Sequence, residues 1–173
     1  SSDLATSYPA GCYRLLFRIW QEAGWQVHAL PRIGHDRRFP VSSNWPRLVD
    51  ELLNFVDTEV RPDGPVALVG HSLGGLLSLL AACKRPDLAA RLVMIDSPVV
   101  TGWRAHSLRL AKHTGLMARI SPGKVSQQRR HHWPDRASVL MHFQAKPVFA
   151  RWDRRVLQDY VNAGFDERDA TSA

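Results

Sequence analysis

The sequence has few cysteines, no long apolar run and no repeated or low-complexity segment. No apolar stretch in its 173 residues approaches the length of about 18 that a membrane span needs. Its two cysteines, Cys12 and Cys83, both lie in apolar helical patterns, so we expect buried free thiols rather than a disulfide. The N-terminus has no charged region followed by an apolar stretch. Together these features predict a cytoplasmic globular protein.

The composition indicates one domain with a basic surface. Apolar residues make up 45% of the chain, including six tryptophans, and the net charge of +7 favours anionic partners. The densest basic stretch, residues 127–133, could be a nucleic-acid patch or a solvated surface, and we favour the solvated surface. Adjacent His131 and His132 do not share a helix face, so no metal site is predicted.

Residues 66–75 place a serine between a strand pattern and a helix pattern. An apolar run over 66–69 leads into Gly70-His71-Ser72-Leu73-Gly74, and an apolar helical pattern follows. This is a G-x-S-x-G nucleophile elbow, in which the serine lies on a strained turn. We expect Gly70 and Gly74 to be required because a side chain there would collide with the strand or helix. Ser72 is the predicted nucleophile, and the Leu73 N–H can bind a developing oxyanion.

Helix and strand patterns alternate along the first hundred residues. Apolar stripes predict helices over 9–23 and 45–60, the second capped by Asn44. Apolar runs predict strands over 25–30, before Ser72, and over 91–95. The run over 91–95 is continuous, so we expect a parallel strand covered on both faces. The alternation predicts an α/β fold with a doubly wound parallel sheet.

Over about residues 4–100 the chain resembles the α/β-hydrolase superfamily. The elbow, the pair Gly34-His35 and the ending Asp96-Ser97-Pro98 match the layout of that superfamily. The resemblance implies a serine hydrolase that cleaves a small-molecule ester or thioester through an acyl-enzyme, with no cofactor.

The resemblance also suggests roles for residues around the elbow. Asp96 is a candidate acid of the catalytic triad, although it could instead cap the turn formed with Ser97 and Pro98. The backbone of Thr6 would supply the second oxyanion donor. His71 occupies the variable position of the elbow and is expected to point away from the serine proton.

The catalytic histidine has no clear candidate in the sequence. It follows the acid in the chain order of this superfamily, yet no histidine after Asp96 follows a strand pattern. The resemblance implies that the histidine and two further strands come after residue 173, and that one strand comes before residue 4. That earlier strand would separate those at 25–30 and 65–70, which otherwise cannot pair directly. We therefore expect an internal piece of a hydrolase, or a non-catalytic truncated form that needs a partner.

Beyond residue 100 the sequence predicts helices, over 101–118, 133–144 and 148–163. The resemblance identifies this part as a helical cap, which divides the chain into a partial core, 1–100, and a cap-like segment, 101–173. The apolar cap residues either line an acyl pocket or, as we favour, pack the helices together. They are Trp103, Leu108, Leu116, Met117, Val139, Leu140, Met141, Phe143 and Phe149. Homo-oligomer formation is left open.

Overall fold

The computed structural model describes residues 8–42, 45–97, 133 and 135–164. These residues belong to two compact units. A sheet unit contains residues 33–42 and 45–97, and a helical unit contains 8–32, Trp133 and 135–164. The units do not coincide with the predicted division at residue 100, because residues 8–32 are grouped with the C-terminal helices.

The sheet unit is built from two helices and two parallel strands. Its elements are α2 (Pro46–Phe55), a π turn (Val56–Val60), β1 (Val66–His71), α3 (Leu73–Lys84) and β2 (Ala89–Ile95). Strands β1 and β2 pair in parallel, with Leu68 opposite Leu92 and His71 opposite Ile95. Helix α3 connects them and packs against both strands. The α/β class and the parallel pairing are as predicted.

The predicted strand over residues 25–30 is wrong. The sheet contains only β1 and β2 among the described residues, and residues 25–30 belong to the helical unit. The resemblance implies a further strand, before residue 4, between this segment and β1 in the sheet, and the described residues contain none. Without that neighbour, the backbone groups of residues 25–30 have no ladder to join.

Helix α2 packs against α3 around a core of buried aliphatic residues. This core contains Leu48, Val49, Leu53, Val56, Leu68, Leu77, Ala81 and Leu88. The helix begins at Pro46, whose fixed φ suits the first helical position, after Trp45 with a φ of 60°. Trp45 therefore takes the N-cap position predicted for Asn44, which lies outside the described residues.

One face of the two-stranded sheet is open. Val69, Val93 and Ile95 are 39%, 47% and 37% exposed. Val93 and Ile95 share a face because strand side chains alternate, and Val69 is the partner of Val93 in the register. The expectation that both faces of β2 are covered is therefore wrong for the described structure, in which α3 covers the opposite face.

The helical unit contains α1 (Arg14–Glu22), α4 (Arg136–Gln144), α5 (Pro147–Ala150) and α6 (Arg154–Gly164). A 3-10 turn (Ala10–Tyr13) precedes α1 and packs closely on α6: a Cβ added to Gly11 would lie 2.7 Å from the Ala163 Cβ. The Leu15 N–H also donates to an Asp159 carboxylate oxygen at 3.2 Å. These contacts join the N-terminal helix to the C-terminal one.

Aromatic rings fill the space between α4, α5 and α6. The Phe143 ring lies 4.8 Å from Phe149 and 5.4 Å from Tyr160, both edge-on. Val139 is buried beside them, whereas Met141 is 62% exposed. Packing between helices is thus the observed role of Val139, Phe143 and Phe149. The cap residues 103, 108, 116 and 117 and the predicted helix over 101–118 lie outside the described residues.

Three details of the helical predictions differ from the structure. The predicted helix over 148–163 is broken, because the Asp153 carboxylate accepts the Arg155 N–H at 2.8 Å and starts α6 anew. The apolar stripe of the helix predicted over 9–23 implies that Ile19 faces inward, whereas Ile19 is 51% exposed. Cys12 is buried as expected, but Cys83 is exposed at the end of α3.

Among the described helices, none has both the length and the apolar character that crossing a membrane requires.

Candidate active site

Ser72 lies at the turn from β1 to α3 with a strained backbone. His71 is the last residue of β1, Leu73 is the first of α3, and Ser72 between them has φ 53° and ψ −119°. A positive φ in a non-glycine residue costs on the order of 1–3 kcal/mol and persists only where surrounding contacts enforce it. The Ser72 residue is exposed. The strained strand-to-helix turn predicted for this serine is therefore present.

Backbone hydrogen bonds on both sides of Ser72 hold this conformation. Its N–H donates to the carbonyl of Ile95, at the end of β2, over 2.8 Å. Its own carbonyl accepts the N–H of Gly75 at 3.2 Å and that of Leu76 at 3.4 Å. Ser72 is thus fixed between the neighbouring strand and the first turn of α3, which offsets the cost of its strained φ.

The glycines around Ser72 differ in how much space they have. A Cβ on Gly70 would run into the backbone of Gly74 and Gly75, so Gly70 is required as predicted. A Cβ on Gly74 would meet nothing within 4 Å, so the prediction for Gly74 is wrong. The crowded position is Gly75, where a Cβ would overlap the Ser97 Oγ and lie 2.9 Å from the Gly70 carbonyl oxygen.

The N-terminus of α3 presents backbone donors beside Ser72. The first N–H groups of an α-helix have no partner within the helix, and those of Gly75 and Leu76 already donate to Ser72. The N–H groups of Leu73 and Gly74 come before these in the first turn. They lie at the positive end of the helix dipole, where negative charge is stabilised. Thr6, the second predicted donor, lies outside the described residues.

Asp96 follows β2 at the edge of the sheet where Ser72 lies. The residue before it, Ile95, accepts the Ser72 N–H, so the two backbones meet at this edge. Asp96 is exposed and has a φ of 45°, a left-handed conformation that aspartate tolerates better than most residues. The turn after β2 is closed by Ser97, whose hydroxyl donates to the Ile95 carbonyl at 3.1 Å.

Among the described residues, two histidines lie in the sheet unit. His71 is the last residue of β1, and His35 lies close enough to Glu51 to influence its ionisation. His28 and His142 belong to the helical unit, and residues 106, 113, 131 and 132 lie outside the described part. Within the described residues, no three His, Cys, Asp or Glu side chains cluster so as to hold a metal.

A buried carboxylate supports the Gly34-His35 loop. Glu51, on α2, is only 4% exposed, and its carboxylate accepts the Gly34 N–H at 2.7 Å, where Gly34 has a φ of 79°. Burial raises the pKa of Glu51, and the charge of Asp36 adds to this, while the Gly34 hydrogen bond and His35 oppose it. The folded protein therefore holds the proton more tightly than the unfolded chain. Stability from this group is full below the ordinary glutamate pKa and falls as pH rises through the raised pKa.

Comparison with known families agrees with this geometry. The model of the Alpha/beta hydrolase family matches residues 6–171, nearly the whole chain. The chain belongs to this family. The resemblance stated from the elbow is therefore confirmed, and the match extends through the helical unit as well as the sheet unit.

Several curated relatives of this α/β-hydrolase-family chain are lipases. Lipase LipV of Mycobacterium tuberculosis is 37% identical over 92 residues, 47% of this chain and 33% of its own. The human monoglyceride lipase is 34% identical over 96 residues, 53% of this chain and 31% of its own. A monoglyceride lipase homolog of monkeypox virus is 30% identical over 122 residues, 65% of this chain and 42% of its own. The matches thus span about a third to two fifths of these relatives, and no solved structure matches the chain.

Proposed function

We propose that this chain carries the nucleophile of a serine ester hydrolase, with Ser72 as the attacking residue. The observation that carries the proposal is the strained, exposed Ser72 between β1 and α3, with a φ of 53° at the N-terminus of a helix. A serine in the interior of a regular strand or helix would need no such backbone strain. Strain of this kind concentrates at functional sites.

The proposed reaction is acyl transfer in two steps. The Ser72 Oγ attacks the ester carbonyl carbon while a histidine base accepts its proton, and the carbonyl oxygen becomes an oxyanion. The oxyanion accepts hydrogen bonds from the Leu73 N–H and, in this proposal, from Thr6. The alcohol then leaves with the proton from the histidine. Water attacks the acyl-enzyme in the same way and releases the carboxylic acid, and no cofactor is needed.

The N-terminus of α3 gives the oxyanion site its electrostatic character. An oxyanion-hole donor typically contributes about 2.7–4 kcal/mol to stabilising the transition state. The Leu73 N–H is a suitable donor because it belongs to the first helical residue after Ser72. In the proposal, Gly70 and His71 complete the elbow on the strand side, and Gly70 lets the helix approach β1.

Asp96 is the proposed acid that orients the histidine. It lies directly after Ile95, the residue that accepts the Ser72 N–H, and it is exposed at the same edge of the sheet. The turn-capping alternative for Asp96 is less favoured, since the closing hydrogen bond of that turn comes from Ser97. The proposal also needs a histidine base, and for the purified chain to be active this base must be one of its own eight histidines.

We propose a lipid ester as the substrate class. The support comes from the relatives, which are named as lipases and monoglyceride lipases. Residues 101–173 would act as the cap that selects the acyl chain.

A cytoplasmic location remains a prediction from the two free cysteines, and homo-oligomer formation remains open.

Hydrolysis by the purified chain tests the proposal. We expect wild-type protein to hydrolyse p-nitrophenyl butyrate and a monoacylglycerol, and Ser72→Ala to lose this activity while its circular dichroism spectrum is unchanged. Thr58→Ala, which removes an exposed hydroxyl that donates to the Asn54 carbonyl at 2.8 Å, is the control and should keep the activity. Wild-type hydrolysis no faster than that of Ser72→Ala would favour the rival function, a non-catalytic form that needs a partner.

A further inference from the structure

We propose that Ser97 is a positioning residue that holds Ser72 in its strained conformation. The proposal rests on the nucleophilic role proposed for Ser72. Ser97 lies two residues after the end of β2 and was identified from the sequence only as part of a turn. In the structure, the Ser97 hydroxyl contacts two residues, Ile95 and Gly75, that each form a backbone hydrogen bond with Ser72.

The first connection is made through the carbonyl of Ile95. This oxygen accepts the Ser72 N–H at 2.8 Å and the Ser97 hydroxyl at 3.1 Å. A carbonyl oxygen has two lone pairs, so it can accept both hydrogen bonds together. The Ser97 hydroxyl thereby restrains the orientation of the acceptor that holds the Ser72 backbone.

The second connection is made through Gly75. The Ser97 Oγ occupies the space that a Cβ of Gly75 would fill, and the Ser97 Cβ lies 2.9 Å from that position. The Gly75 N–H in turn donates to the Ser72 carbonyl at 3.2 Å. Ser97 therefore packs against the residue whose N–H donates to the Ser72 carbonyl.

Removal of the hydroxyl should loosen Ser72 without removing any proposed catalytic group. Ser97→Ala deletes one hydrogen bond to Ile95 and leaves a gap beside Gly75, so the end of β2 can shift relative to α3. A displacement of about 1 Å at a reacting atom can lower a rate about 100-fold. We expect a smaller change here, about tenfold in kcat with KM unchanged, because both backbone hydrogen bonds of Ser72 remain.

Amide exchange and active-site labelling of the full chain test this role together. In Ser97→Ala, we expect the Ser72 amide to exchange several times faster by NMR, while the amides of the α3 core, such as Leu77, keep their protection. The rate of reaction with a fluorophosphonate probe should fall about tenfold. Ser97→Gly should have the larger effect on both. Thr58→Ala, which also removes a hydroxyl that donates to a backbone carbonyl, should have none.

The two readouts separate this inference from the proposed function. Absence of labelling in wild-type protein would count against the function of Ser72 in this chain, and Ser97 would then be judged by amide exchange alone. Unchanged exchange of the Ser72 amide in Ser97→Ala would overturn the positioning role. Equal loss of protection at Ser72 and Leu77 would also overturn it, because the effect would then be one on general stability.

Discussion

The two adjacent glycines after the serine should respond differently to the same substitution. Gly75→Ala places a Cβ against the Ser97 Oγ, 2.9 Å from the Ser97 Cβ and 2.9 Å from the Gly70 carbonyl oxygen. Gly74→Ala places a Cβ in open space within the same helix turn. Neither glycine has a positive φ, so backbone strain is not part of the comparison. The pair isolates the effect of the close approach between α3 and the end of β2.

The expected difference follows from the cost of overpacking. An added methyl group in a filled space typically costs about 1–3 kcal/mol, and here backbone atoms limit the relaxation. In a protein of this size, each kcal/mol lowers Tm by about 2–4 °C, so Gly75→Ala should lower it by about 2–12 °C. Gly74→Ala should be neutral or raise stability by up to about 1 kcal/mol, because alanine favours the helix.

Thermal and urea unfolding of the two variants, followed by far-ultraviolet circular dichroism, measures this difference. The double variant Gly75→Ala/Ser97→Gly should regain part of the lost stability, since it removes the Ser97 side-chain atoms that meet the new Cβ while the Gly70 carbonyl oxygen remains. Equal destabilisation by Gly74→Ala and Gly75→Ala would refute the reasoning. So would a double variant that is no more stable than Gly75→Ala.

Three further predictions concern ionisable groups. Glu51→Gln keeps an acceptor for the Gly34 N–H, so it should gain stability relative to wild type as pH rises through the raised pKa of Glu51. Urea unfolding across pH measures this difference, and a difference that does not vary with pH would contradict the prediction. Iodoacetamide at pH 8 should alkylate the exposed Cys83 and spare Cys12, because burial raises the pKa of the Cys12 thiol to about 11. Two adducts on the folded protein, measured by intact mass, would contradict this. Asp135→Ala should weaken α4, because the carboxylate caps that helix, and the helical signal should fall more than in Asp135→Asn.

The sequence predicted best the features that depend on neighbouring residues. The turn at Ser72 is encoded by a few consecutive residues between two apolar runs, so its strained geometry follows from local pattern. The parallel pairing of β1 and β2 follows similarly from one strand–helix–strand unit. The start of α2 differed by one residue, because Pro46 fixes the first helical turn.

Features that depend on distant contacts were missed. Gly74 and Gly75 look alike in sequence, and the positions of Ser97 and of the Gly70 carbonyl, both outside α3, make Gly75 the crowded one. The apolar pattern over 25–30 satisfies the rule for a strand, yet a strand also needs a neighbour with which to pair. Cys83 lies on an apolar helix, but it is exposed near the end of α3.

The most direct test of the central claim is labelling of the chain with a fluorophosphonate probe, measured by intact mass and peptide mapping. The account predicts one adduct, on the peptide that contains Ser72, and none in Ser72→Ala. A histidine must then act as base within the protein as labelled, and mutation of each of its eight histidines would identify it. A folded wild-type chain that forms no adduct, or an adduct that persists in Ser72→Ala, would contradict the assignment of Ser72 as an activated nucleophile.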